Sequence, residues 1–206
     1  MNPDPRCACV LLLDTSASMA GAAMDELNAG LRTFQTDIQE DSLARRRLEI
    51  AIVSFGGTVK TVQEFVSAGF FQAPTLVPEG GTPMGQAVAQ GLQMVRARKD
   101  EYKAAGISYY QPWVFLITDG SPTDEWKSAA EMVRQETARR GVNFFAIGVN
   151  NADMDVLKSF TDRTLRLNGL SFRELFLWLS QSQKGISRSK TDEQTALPAV
   201  TFGSPA

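Results

Sequence analysis

The sequence predicts an α/β fold: a Rossmann-like, doubly wound, mostly parallel sheet with one antiparallel edge strand and helices on both faces. Two observations carry that expectation. Continuous apolar runs, CACVLLLD, QPWVFLITDG and GVNFFAIGVN, alternate with longer segments of helical periodicity, as buried parallel strands joined by crossover helices do. Each run also ends in a polar loop, and right-handed crossovers bring such loops to one edge of the sheet, where folds of this class bind ligands.

The elements follow in order. Cys7 to Asp14 reads as a fully buried strand, because its apolar run is closed by a polar turn. Ala22 to Glu40 places Met24, Leu27, Leu31, Phe34 and Ile38 at helical spacing, so one stripe can pack on the sheet. RLEIAIVSFGG supplies the next strand. TVKTVQEF then alternates like a half-exposed strand, and the short link through Gly56 and Gly57 requires antiparallel pairing, which makes this run the antiparallel edge. After a polar loop, Thr82 and Pro83 match the N-cap and first position of a helix whose Val88, Leu92 and Val95 face the sheet. QPWVFLITDG leads to a helix started by Thr123 or Asp124 and running to about Arg140, followed by the GVNFFAIGVN strand. A short helix near Met154 to Phe160, a strand around Thr164 to Leu167 and a helix from Phe172 to about Ser182 complete one domain, expected over residues 1–184. Residues 185–206 are polar, broken by proline and glycine and without periodicity, and are expected to form a flexible tail.

Composition narrows the function classes. At 206 residues with 43% apolar content, the chain can bury one sizeable core. Its net charge of −2 shows no basic footprint for nucleic acid. The stretch from Cys7 to Leu13 is too short to span a bilayer, and MNPDPR lacks the features of a secretory signal, so a cytoplasmic protein without a membrane span is expected. Cys7 and Cys9 are the only cysteines and sit two apart in a strand, where a mutual disulfide would be strained. No histidine is present to complete a zinc site, so both thiols are expected to be reduced and structural.

The chemistry lies in five oxygen-bearing side chains on three distant segments: Asp14, Ser16 and Ser18 in LLLDTSASM, Thr82 in GGTPMG and Asp119 in VFLITDGSP. The first and third segments end buried strands expected to lie side by side, so two carboxylates would meet at one edge. Such a pair repels unless a cation or proton neutralises it. Oxygen is the only donor type offered, which suits a hard divalent cation such as Mg²⁺ or Mn²⁺. Gly80, Gly81 and Gly85 would let their loop approach the site closely.

Taken together, these residues resemble a von Willebrand factor A (VWA) domain carrying a metal-ion-dependent adhesion site (MIDAS). The resemblance rests on Asp14-Thr15-Ser16-Ala17-Ser18, Thr82 and Asp119-Gly120, and covers about Cys7 to Ser182. It implies that Ser16, Ser18 and Thr82 reach the cation directly or nearly so, that Asp14 and Asp119 more often act through water, and that one coordination position is left for an acidic side chain of a partner. The implied function is a non-enzymatic adapter or scaffold that binds protein through Mg²⁺, with Mn²⁺ or Ca²⁺ as alternatives. The implied mobile part is the last helix, from Phe172 to Ser182. In DTSASM, GGTPMG and TDGSPTDEW the chain is most similar to bacterial VWA proteins of tellurium-resistance (TerY-like) gene clusters. That similarity implies a stress-response scaffold beside a Ser/Thr kinase and a PP2C-type phosphatase.

Other readings compete with this one. A Mg²⁺-dependent phosphohydrolase of the haloacid dehalogenase type also places an aspartate after an apolar strand, but it wants a second acid where this chain has Ser16. Nucleotide binding at GGTPMG lacks the lysine of a phosphate-binding loop. Without metal, Asp14 and the serines would form a turn network and Thr82 a helix cap. Ser121, Thr123, Asp124 and Glu125 can line the rim, although acids in a first helical turn are favoured by the dipole anyway. Arg45, Arg46 and Arg47 read as a solvated loop before a strand. Tyr109, Tyr110, Trp113 and Trp126 serve either core or partner contact.

Overall fold

The computed structural model describes residues 4–167, 169, 171–188 and 203–205. In chain order these form β1 (Cys7–Asp14), α1 (Ala22–Glu40), α2 (Ala44–Arg47), β2 (Leu48–Gly56), β3 (Thr58–Ser67), α3 (Met84–Ala104), β4 (Trp113–Thr118) and α4 (Lys127–Ala138). They continue as β5 (Asn143–Gly148), α5 (Met154–Phe160), β6 (Thr164–Leu167), α6 (Phe172–Arg188) and β7 (Gly203–Pro205). The sheet order is β3-β2-β1-β4-β5-β6-β7. Strands β2, β1, β4, β5 and β6 are parallel, and β3 pairs antiparallel with β2 through the Gly56–Gly57 turn.

Alternation along the buried strands divides the core into two layers. Cys7, Cys9, Leu11 and Leu13 point to one face with Phe115, Phe145, and the helices α1 and α6. Val10 and Leu12 point to the other with Val114, Phe144, and α3, α4 and α5. Every residue of β1, β2 and β4 is buried, which is why these strands carry apolar runs and not an alternating pattern. The edge strand β3 alternates exposed and half-buried positions over most of its length, as its sequence predicts. Trp113, Tyr110 and Trp178 belong to the core, and Trp126 packs half-buried against Phe160.

The structure revises several details. Residues 44–47 form the short helix α2 and not a solvated loop, with Arg46 and Arg47 both held by the Asp4 carboxylate. The last helix runs on to Arg188, past the Ser182 end expected from the sequence. Of the segment expected as a tail, Gly203–Pro205 pair antiparallel with Leu165–Leu167 at the sheet edge opposite β3. Residues 189–202 and 206 lie outside the described residues.

Two buried acids that the sequence did not single out hold the far side of the fold. Glu49 in β2 pairs with Arg98 at 2.7 Å and Arg6 at 3.4 Å, and also accepts from the Tyr102 hydroxyl. Glu136 in α4 accepts from Arg96 Nε at 2.7 Å and Arg139 Nε at 2.9 Å. Both acids are buried with their charge compensated, as burial of a carboxylate requires. Neither thiol is in a disulfide: Cys7 and Cys9 are free and buried, and Cys7 Sγ donates to Gln183 Oε1 at 3.2 Å.

Candidate metal centre

The chain reverses its direction of winding between β1 and β4, since β2 and β3 lie to one side of that pair and β5 and β6 to the other. A crevice at the C-terminal ends of two such strands is where this class of sheet binds ligands. The register places Leu13 beside Ile117, so Asp14 and Thr118 are the next neighbours across the pair. Thr118 Oγ1 donates to Asp14 Oδ2, and the backbone N–H of Ser16 donates to Asp14 Oδ1 at 2.8 Å. Both carboxylate oxygens are thereby oriented by the protein itself.

From Asp14 the chain turns through Ser16 and Ser18, whose hydroxyls lie 2.9 Å apart. Ser18 Oγ donates to Asp119 Oδ1 at 2.7 Å, which joins the first and third segments. Thr82 arrives from the loop before α3. Its Oγ1 and that of Ser18 would each stand 3.8 Å from a Cβ built on Gly120, so both hydroxyls border the same small space above the β4 terminus. The structure therefore brings Asp14, Ser16, Ser18, Thr82 and Asp119 to one place.

Burial is the largest influence on Asp14 and raises its carboxyl above the ordinary 3.8, with hydrogen bonds from Ser16 and Thr118 opposing and the Asp119 charge adding to the rise. Thr82 is 5% exposed, and its hydroxyl has no hydrogen-bond partner among the described residues. The Thr82 hydroxyl, two serine hydroxyls and two acids gathered at one place fit a hard divalent cation, which would take hydroxyl oxygens as ligands and neutralise the acids.

Three loops hold this arrangement. The loop carrying Thr82 is sewn by main-chain bonds to the loop after β1 and to the β2–β3 turn, through Glu79 N to Thr15 O, Ala17 N to Gly80 O and Gly57 N to Gly81 O. Gly80 takes a φ of +61°, and a Cβ there would stand 2.4 Å from Gly57 Cα. A Cβ on Gly85 would stand 2.1 Å from Glu125 O, so the close approach these glycines permit is to the β2–β3 turn and to the segment after Asp119 and not to the site residues themselves.

Thr82 does not cap α3 as its sequence position suggests. The helix begins at Met84 with Pro83 at its N-cap, and the Asp124 carboxylate accepts from Gly85 N at 3.0 Å and Gln86 N at 2.9 Å instead. Asp124 and Thr123 likewise do not start α4, whose first turn is served by Glu125 accepting from Lys127 N and Ser128 N. The Thr82 hydroxyl is thus left available. Thr118 is the participant that sequence reasoning passed over; the signal was a hydroxyl at the end of an otherwise apolar strand, one position before Asp119.

A profile of the von Willebrand factor type A domain matches residues 9–173. Matrilin-3 of Mus musculus is 24% identical over 162 residues, spanning 76% of this chain and 32% of that protein. Among solved structures, the pilus adhesin SpaC from Lactobacillus rhamnosus GG superposes with a TM-score of 0.72 at 17% identity, over 90% of this chain and 30% of that one. Proximal thread matrix protein 1 from the mussel byssus, with a zinc-occupied MIDAS motif, superposes with a TM-score of 0.59 at 17% identity, over 87% of this chain and 48% of that one. The chain spans about a third of the curated relative's length. No helix among the described residues is long and apolar enough to cross a membrane.

Proposed function

Because the chain belongs to the von Willebrand factor type A domain family, we propose that it is a non-enzymatic, divalent-metal-dependent protein-binding module. The observation that carries this reading is the convergence of the Ser16, Ser18 and Thr82 hydroxyls with the Asp14 and Asp119 carboxylates at one sheet edge, tied together by the Ser18–Asp119 pair. Ser16, Ser18 and Thr82 would hold the cation directly, and Asp14 and Asp119 would orient the serines and bound water. When bound, the cation supplies positive charge that offsets the two carboxylates and attracts an Asp or Glu of a partner. The oxygen-only donor set favours Mg²⁺, with Mn²⁺ or Ca²⁺ as substitutes. The zinc-occupied motif of the byssal protein supports a divalent cation at this place in the fold.

The chain's own residues do the remaining work. Asp14, gripped by Thr118 and Ser16 N, fixes the turn that presents the serines, and the Ser18 hydroxyl ties that turn to Asp119. At the position where a phosphohydrolase would place its second acid, Ser16 is engaged with Ser18. The narrower setting, a cytoplasmic bacterial scaffold beside a kinase and a PP2C-type phosphatase, is supported by the motif resemblance alone.

The test has two arms: calorimetric titration of Mg²⁺ into wild type and Asp119→Ala, and partner capture from lysate with Mg²⁺ or with EDTA. Metal binding lost in the variant, with capture that needs Mg²⁺, is the expected result. Equal capture in EDTA would overturn the adapter reading.

A further inference from the structure

The segment after Asp119 is fastened to the segment around Thr82 more tightly than helix capping requires. Thr123 and Thr82 bond reciprocally: Thr82 N donates to Thr123 Oγ1 at 3.0 Å, and Thr123 N donates to Thr82 O at 2.9 Å. Asp124 grips the next turn with both carboxylate oxygens, one on Gly85 N and one on Gln86 N. Gly81 and Gly85 leave room for this contact, since a Cβ on Gly81 would stand 3.1 Å from Thr123 Oγ1 and one on Gly85 would meet Glu125 O.

We propose that Thr123 and Asp124 are positioning residues for the metal centre, which make the Thr82 arm and the Asp119 arm one rigid piece. This rests on the metal-dependent reading above. Thr82 is clamped on its N-terminal side by the main-chain contacts of Gly80 and Gly81, and on its C-terminal side by Asp124. Its backbone N–H and carbonyl are both taken by Thr123, so its hydroxyl is the polar group left over. Asp119 and Thr123 are four residues apart on one loop, and the reciprocal bonds carry the placement of one to the other.

A helix cap alone would have a different signature. The acids at the start of α4 show it: Glu125 accepts from Lys127 N and Ser128 N within its own turn. Asp124 instead reaches a helix 39 residues earlier, at the turn that follows a metal-site hydroxyl. Residues behind a metal's direct ligands set affinity by holding those ligands in place, and losing them weakens binding by about 10- to 100-fold.

The experiment compares wild type, Asp124→Ala, Asp124→Asn and Thr123→Val by calorimetric titration with Mg²⁺ and Mn²⁺, and by thermal melting with and without Mg²⁺. Asp124→Ala should weaken Mg²⁺ binding by about 10-fold or more and shrink the metal-dependent rise in melting temperature. Asp124→Asn keeps one accepting oxygen but turns an amide N–H towards the other backbone N–H, so it should weaken binding measurably but less than alanine does, and Thr123→Val should also fall between wild type and Asp124→Ala. A cap with no positioning role would lower melting equally with and without metal and leave affinity within about two-fold of wild type, which overturns the proposal. If Asp124→Ala does not fold, wild-type affinity in both Asp124→Asn and Thr123→Val overturns it as well. Failure of wild type itself to bind either metal overturns the metal-centre reading, an outcome distinct from unchanged affinity in the variants.

Discussion

Thr118 stands beside Asp14 across the β1–β4 pair and donates its hydroxyl to Asp14 Oδ2, so a buried carboxylate held on its other oxygen by the Ser16 N–H is aimed by a strand neighbour as well. Replacing the hydroxyl with a methyl in Thr118→Val preserves strand propensity and volume. The cost is an unsatisfied oxygen on a buried acid and a Gly120 N–H left without its acceptor, about 1–3 kcal/mol of stability. Mg²⁺ affinity should fall by about 10-fold, because Asp14 then loses its orientation. Denaturant unfolding and calorimetry on the same variant check both numbers, and unchanged affinity would show that Asp14 is oriented from the Ser16 side alone.

Gly56 ends β2 against the turn after β1. A Cβ there would stand 2.2 Å from Thr15 O, a backbone atom that cannot swing aside. Gly56→Ala should therefore destabilise by about 1–3 kcal/mol through overpacking, and it should loosen the turn that presents Ser16. A lowered urea midpoint at unchanged m-value is the expected observation. A midpoint equal to wild type would mean that this loop yields easily.

Glu136 gives a pH signature. Burial pushes its carboxyl up, but the hydrogen bonds from Arg139 and Arg96 outweigh that, and the net position is below the ordinary 4.5. A carboxyl lowered in the folded state stabilises fully above its unfolded value, and that contribution is lost as pH falls through the folded value. Both arginines are half-exposed or more, so solvent screens the pair. Glu136→Gln should cost about 1 kcal/mol near neutral pH, and the gap to wild type should close in acid. Urea midpoints of the two proteins across the acid range measure it; a gap that widens in acid would contradict the assignment.

The thiols should be inert in the folded protein. Burial, joined by the nearby Glu49 charge, pushes Cys7 up to about 12, and burial with Cys7 beside it raises Cys9 well above its ordinary value. Thiolate is the reactive form, and neither residue is exposed. Maleimide treatment followed by intact mass spectrometry should give no adduct on native protein and two adducts after unfolding. Native labelling would reveal an opening of the layer between β1 and α6.

The strands and most helices were legible because burial on both faces writes a continuous apolar run, and packing on a sheet writes a helical stripe. The α1 segment from Ala22 to Glu40 matches its expected ends. The meeting of Asp14 and Asp119 was legible too, since both follow buried strands and parallel topology sends such ends to one edge. Long-range exchange of partners was not legible. Asp124 lies one residue from Glu125 and three from Lys127, and local rules assign it to the nearer helix; only the folded chain shows it serving α3. The same holds for Glu49 and Arg98, 49 residues apart, whose pairing no local periodicity encodes. The short helix α2 escaped because four residues carry too little pattern to separate a helical turn from a loop.

The main-chain seam between residues 15–17, 57 and 79–81 has a consequence for how this protein can diversify. Its bonds are made by peptide groups and its close approach by glycines, so it holds the Thr82 loop without using a side chain of Pro78 or Val77. Val77, 71% exposed and next to a Leu76 whose backbone is held at both ends by Asn28, is free to become something else at little cost to the fold. Substitution there can change the surface this loop shows to solvent, while the seam that holds Thr82 stays as it is.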